Sequence, residues 1–171
     1  MFEKAFNDLI LKEGGYSDHP SDNGGQTMYG ISAPVARLNG YTGDISAMPL
    51  SFAREVYKKR YWDVLKLDQI SRLSQKIGAE LFDTAVNMGQ GTAAIFLQRI
   101  INCITAPGSL TVDGKVGQLT LQKFASMDKY FETILIALNA QQCVRYMEIS
   151  EKDPKQAIFL KGWINKRVRI T

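Results

Sequence analysis

The sequence predicts an all-α protein with one small β-hairpin, and three observations predict it. Apolar residues recur at helical spacing along most of the chain, Gly and Pro fall between those stretches, and strict alternation is confined to Thr27, Tyr29 and Ile31. Phe2, Phe6, Leu9, Ile10 and Glu13 follow the spacing i, i+4, i+7, i+8, i+11, so the first helix carries a glutamate at the end of its apolar stripe. Gly14 and Gly15 then stop it. From Tyr16 to Gln26 the composition turns to Ser, Asp, Asn, Pro and Gly, which is loop chemistry, and the alternating segment after it suits a hairpin. Ser32 can cap the next helix, with Pro34 in its first turn and Asn39 and Gly40 at its end. Ser51 opens another through about Trp62. After Ser74, Ile77, Leu81, Ala85 and Met88 form one stripe with Phe82 and Val86 beside it, and an apolar surface so broad predicts a central helix. Gly89 to Gly91 breaks the pattern, Thr92 restarts it to about Ile104, and Pro107 with Gly108 breaks it again. A turn at Asp113, Gly114 and Gly117 leads to a helix near Thr120 to Ala125. Asp128 then caps a long helix to about Ile149, and a last one begins after Pro154.

With 171 residues the chain has room for one good core, or for a catalytic region with a small appended lobe. Its 45% hydrophobic and 22% charged content is that of an ordinary globular protein. A net charge of +4 and a pI near 9.0 suit approach to a polyanion, and equally suit plain solubility. The most basic run, Lys161 to Arg169, is interrupted by Trp163, Ile164 and Val168, which fits an amphipathic terminal helix; no nucleic-acid partner is expected. Met1 to Lys12 mixes acidic residues among apolar ones, so no signal peptide is expected and synthesis in the cytoplasm is. No apolar run approaches the roughly 20 residues that cross a bilayer, so membrane insertion is not expected. Cys103 and Cys143 do not suggest a disulfide framework, and His19 is the lone histidine, so neither metal nor cofactor is expected. His19 itself fits an ordinary loop residue.

Glu13 suits the chemistry of glycosidic bond cleavage, which needs a carboxylic acid to protonate the leaving oxygen and usually a second carboxylate to activate water or stabilise the cation. Its place on the apolar stripe and the negative end of the helix dipole both favour the uncharged acid. A partly exposed glutamate at a frayed helix end fits the same pattern. In the loop, Asp18 and Asp22 sit in a polar setting where a carboxylate stays ionised and can hold water. Asn23, Gly24 and Gly25 allow close approach of backbone to a ligand, and Thr27 offers a hydroxyl to orient the water, although loops collect these residues for turn reasons too.

The stretch Glu13 Gly14 Gly15 Tyr16, then Asp22 Asn23 Gly24 Gly25 Gln26 Thr27, then Tyr29 Gly30 Ile31 Ser32 resembles the signature of glycoside hydrolase family 108, which comprises phage endolysins and bacterial muramidases. Tyr57, Tyr61 and Trp62 resemble the family's Y-x-x-x-Y-W segment. The resemblance implies a lysozyme-like fold and Glu13 as the essential acid. The order Glu, Asp, Thr also looks like the triad of phage T4-type lysozymes, with the Asp-to-Thr spacing shorter by one, and implies Asp22 and Thr27 as its other members. The second half is similar to the helical peptidoglycan-binding region that accompanies this catalytic domain, at Phe82 Asp83, Val86 Asn87, Gly89, Leu97 Gln98, Asp113 Gly114, Gly117, Thr120 and Gly162 Trp163.

These readings give a catalytic muramidase region over residues 1–72 and a helical peptidoglycan-binding region over 73–171, packed as one compact unit. The expected catalytic residues are Glu13, Asp22 and Thr27. Tyr16, Tyr29, Asp83 and Asn87 are the expected substrate-binding residues. Asp83 and Asn87 sit at i and i+4 on an apolar helix, where each must face a polar cleft or be satisfied by neighbours. Tyr29, Tyr61, Trp62 and Trp163 can stack on sugars, but aromatics in helices more often belong to the core. The implied activity is bacteriolytic: hydrolysis of the β-1,4 bond between N-acetylmuramic acid and N-acetylglucosamine in the cell wall, for lysis, wall remodelling or protein export. Action is expected in the periplasm by a monomer that passes the inner membrane with a holin-like protein. A lytic transglycosylase and a non-catalytic peptidoglycan-binding protein are the alternatives.

Overall fold

The computed structural model describes residues 1–18 and 25–168. It is mainly helical with a two-stranded antiparallel sheet, and the chain divides into two compact units, residues 1–60 and 61–171.

In the first unit α1 (Phe2–Glu13) forms on the expected stripe. Phe2, Phe6 and Leu9 are buried while Leu11 faces out. Burying each such side chain contributes roughly 1.5–3 kcal/mol. Phe2 stacks on Phe6 at 5.7 Å, and Phe6 meets the Tyr57 ring at 5.9 Å. Gly14, at φ +79°, ends the helix and donates its N–H to the Ile10 carbonyl. Arg54 makes a forked ion pair with Glu3 while its guanidinium lies 5.4 Å from the Phe2 ring centre. The hydrogen bonds from Arg54 hold the Glu3 carboxyl below the usual range.

The hairpin consists of β1 (Thr27–Met28) and β2 (Ile31–Ser32), with Thr27 opposite Ser32 and Met28 opposite Ile31. Tyr29 and Gly30 make the connection at φ +53° and +75°. Two positive φ values in a two-residue loop are those of the turn whose twist matches the strands. Ser32 stands at the N-cap of α2 (Ala33–Leu38) without a side-chain cap bond, and Pro34 pre-sets the first turn. α3 (Leu50–Tyr57) begins behind Pro49, not at Ser51, and gives way to a π-helical turn over Lys58–Trp62. The stretch expected to run as one helix to Trp62 thus changes hydrogen-bond register after Tyr57.

The second unit contains a helix the sequence reading did not foresee, α4 (Leu67–Leu73), which starts after Lys66 at φ +52° and buries Leu67, Ile70 and Ser71. α5 (Gln75–Met88) is capped by Ser74, whose hydroxyl accepts the Ile77 N–H, and packs against α4, α6 (Gln90–Ile104) and α8 (Phe131–Lys152). It is the central helix of this unit, as its broad apolar surface predicts. Gly89 alone, at φ +89°, makes the break before α6; Gln90 and Gly91 are already helical. Trp62 is buried edge-on to Phe82 at 5.5 Å and donates its indole N–H to Asp68 at 2.9 Å.

Gln98, buried on α6, fastens the Asp113 turn that precedes α7 (Gln118–Ala125). Its amide donates to Asp113 Oδ1 at 2.8 Å and to the Lys115 carbonyl at 2.9 Å, while its oxygen accepts the Gly114 N–H at 3.0 Å. A 3-10 turn over Asp128–Tyr130 precedes α8, so Asp128 does not cap the long helix directly. α9 (Ala157–Arg167) follows a short turn at Pro154, and Tyr146 of α8 stacks on its Trp163 at 5.2 Å. Among the described residues no helix is long and apolar enough to cross a membrane.

Candidate active site

Glu13 is the last residue of α1, half-buried, at the point where its apolar stripe runs out. The hairpin turn lies against its carboxyl. A methyl group built on Gly30 would fall 2.8 Å from Glu13 Oε2 and 2.7 Å from the Tyr57 hydroxyl. Only a residue without a side chain lets the backbone come this close, and the positive φ independently calls for glycine. Tyr57, buried at the end of α3, donates its hydroxyl to the Tyr29 carbonyl at 2.9 Å. Helix end, hairpin turn and α3 therefore meet at one carboxyl group.

The segments flanking the loop are joined by backbone. Ser17 N–H donates to the Thr27 carbonyl at 3.0 Å, and Thr27 N–H returns to Ser17 at 2.8 Å. Gln26 accepts the Ala33 N–H at 2.9 Å, tying the hairpin to the start of α2. Thr27 thus sits in a doubly held strand, half-buried. Asp22 and His19 lie outside the described residues. Asp18 is exposed and accepts weak hydrogen bonds from the Tyr16 hydroxyl at 3.4 Å and the Gln26 amide at 3.5 Å. Partial desolvation, with the charge and hydrogen bond of Asp18, pushes the Tyr16 phenol above its ordinary range. Tyr16 itself is exposed. Tyr29 is half-buried and contributes its carbonyl to Tyr57.

Asp83 and Asn87 belong to the second unit. Asp83 is buried and its Oδ1 accepts from Arg167 at 3.1 Å, its Oδ2 from Gln142 at 3.3 Å. Asn87 is exposed and donates to the Asp83 carbonyl at 2.7 Å. This carboxylate is thus satisfied by neighbours on α8 and α9, the arrangement that a charge inside a helical unit requires. Among the described residues no three His, Cys, Asp or Glu side chains gather as a metal site would need.

Tyr57 and Gly30 are the residues whose role sequence reasoning did not single out. Gly30 follows Tyr29 between alternating residues, a two-residue turn signal, but nothing local announces that Glu13 and Tyr57 lie against it.

The family model described as glycosyl hydrolase 108 matches residues 6–89, and that of a predicted peptidoglycan domain matches residues 92–168. Among solved structures, that of Brucella abortus SagA is similar over 99% of this chain and 90% of its own, with 26% sequence identity and a TM-score of 0.73. No curated protein matches the chain.

Proposed function

The chain belongs to the glycosyl hydrolase 108 family, with a peptidoglycan domain behind the catalytic one, and on that premise we propose that it is an N-acetylmuramidase with Glu13 as its acid. It is a glycoside hydrolase of lysozyme-like type, and peptidoglycan is its partner. The bond cleaved is the β-1,4 link between N-acetylmuramic acid and N-acetylglucosamine. Glu13 protonates the leaving oxygen, and Asp22, helped by Thr27, places the attacking water on the anomeric carbon.

The observation that carries this reading is the close packing of Gly30 on the Glu13 carboxyl, with Tyr57 holding the same turn. A general acid must stay within hydrogen-bond reach of the oxygen it protonates, and a carboxyl fixed by backbone meets that need better than one on a free helix end. Tyr16 and Tyr29, beside the loop, offer rings to the sugars. The catalytic region is assigned to residues 1–72 and the wall-binding region to 73–171. We assign its action to the periplasm, as a monomer that reaches the wall with a holin-like protein, for lysis, remodelling or export.

The test is Glu13→Gln, which keeps the shape and removes the acid. Release of soluble fragments from purified sacculi should fall to background while the thermal midpoint stays unchanged. Retained hydrolysis would remove Glu13 from its role.

A further inference from the structure

An open groove of about 470 Å³ lies between α6 and α8 in the second unit, within the stretch matched by the peptidoglycan domain. Ile95 and Phe96 on α6 and Val144 on α8 give it apolar walls, and Arg99, Arg145 and Glu148 line it with charge. Arg145 pairs with Glu148 at 2.9 Å, leaving that couple both a cationic and an anionic end. Arg99 is exposed and makes no ion pair among the described residues. Gln141, also at the groove, donates its amide to the Phe96 carbonyl at 3.3 Å and so ties α8 to α6 beneath it.

We propose that this groove seats the acidic stem peptide of peptidoglycan. The inference rests on the reading of peptidoglycan as partner and adds which part of it the second unit recognises. Charge decides between the two components of the wall. The glycan strand, once its lactyl groups are amidated by the peptide, has no charge for Arg99 to meet, whereas the stem carries free carboxylates that a guanidinium grips by two hydrogen bonds. Its alanine methyl groups fit Ile95 and Val144. A diamino acid in the stem brings an ammonium for Glu148 beside a carboxylate for Arg145, matching the mixed couple on α8.

The test is calorimetric titration of the full chain carrying Glu13→Gln with two probes: the free tripeptide L-Ala-γ-D-Glu-meso-diaminopimelate, and a chitin tetrasaccharide without any stem. In this background Arg99→Ala should weaken tripeptide binding by about tenfold to a hundredfold, and Ala140→Trp, which fills the groove, should abolish it. Binding of the tetrasaccharide should be unchanged by either. Equal tripeptide affinity in all three proteins, tripeptide binding to none of them, or tetrasaccharide binding lost with the groove would overturn the proposal. The outcome is separate from that of hydrolysis. Wild type that releases fragments but ignores the tripeptide refutes the groove alone, and tripeptide binding without any fragment release by wild type refutes the bond cleavage alone.

Discussion

Substituting Gly30 by alanine probes the link between the hairpin backbone and Glu13, the proposed acid, directly. The new methyl would stand 2.8 Å from Glu13 Oε2 and 2.7 Å from the Tyr57 hydroxyl, and the φ of +75° would strain any L-residue. Strain of that kind costs about 1–2 kcal/mol. Non-bonded heavy atoms settle near 3.5 Å, so the neighbours must yield by roughly 0.7 Å, and a displacement of about 1 Å in a catalytic group can lower the rate about 100-fold. Gly40→Ala is the control, because Gly40 has a similar φ of +87° and nothing within 4 Å of the added carbon. Urea titration should show a loss of about 1–2 kcal/mol in Gly40→Ala and a larger one in Gly30→Ala, where the clash adds to the same strain. Fragment release per folded molecule should fall roughly 10- to 100-fold in Gly30→Ala and stay near wild type in Gly40→Ala. Equal activity of the two would refute the argument that the hairpin positions Glu13.

The remaining predictions concern the second unit. Arg167→Ala removes a guanidinium from the buried Asp83 carboxylate, whose side chain is 11% exposed; stability by urea titration should fall by up to about 3–5 kcal/mol, and Arg167→Ala with Asp83→Ala should cost less than the sum of the singles. Gly78→Ala puts a methyl into the Ser71 hydroxyl where α5 crosses α4, so it should destabilise by roughly 1–3 kcal/mol despite alanine's better helix propensity, with Ser71→Gly restoring part of the loss. The Asp113 carboxyl is held below the ordinary aspartate range by the Gln98 hydrogen bond and then by the Lys115 N–H. Its contribution is therefore full above the unfolded value of about 3.9 and disappears as pH falls through the lower folded value. The stability gap between wild type and Asp113→Asn, followed by urea midpoints, should shrink on acidification across that window; a gap that widens contradicts the assignment.

The features legible in the sequence are those set by local pattern. The stripe of Phe2, Phe6 and Leu9 marks α1 and puts Glu13 at its end, and the Ser74 cap marks α5. α4 carries no such mark: it is short, has no side-chain cap, and begins after a lysine in the left-handed region. Gly91 looks like a helix breaker in sequence but is helical, because Gly89 alone makes the turn; the Gly114 backbone approaches it so closely that a methyl there would stand 3.3 Å from the Gly91 carbonyl. Asp128 is a good cap by residue type, yet a 3-10 turn intervenes before α8. In the candidate site, the identity of Glu13 is a local signal, whereas its packing on Gly30 and the bond from Tyr57 to Tyr29 join residues 17 and 28 positions apart. Such pairings depend on how helix, hairpin and α3 fold together, which periodicity does not encode.

Mass spectrometry of the fragments released from purified peptidoglycan by wild type and by Glu13→Gln decides whether Glu13 drives hydrolytic cleavage of the glycan strand. Wild type should release hydrated fragments with reducing muramic acid ends, and the variant none. Anhydro ends, lighter by one water, or the same fragments from Glu13→Gln, would contradict it.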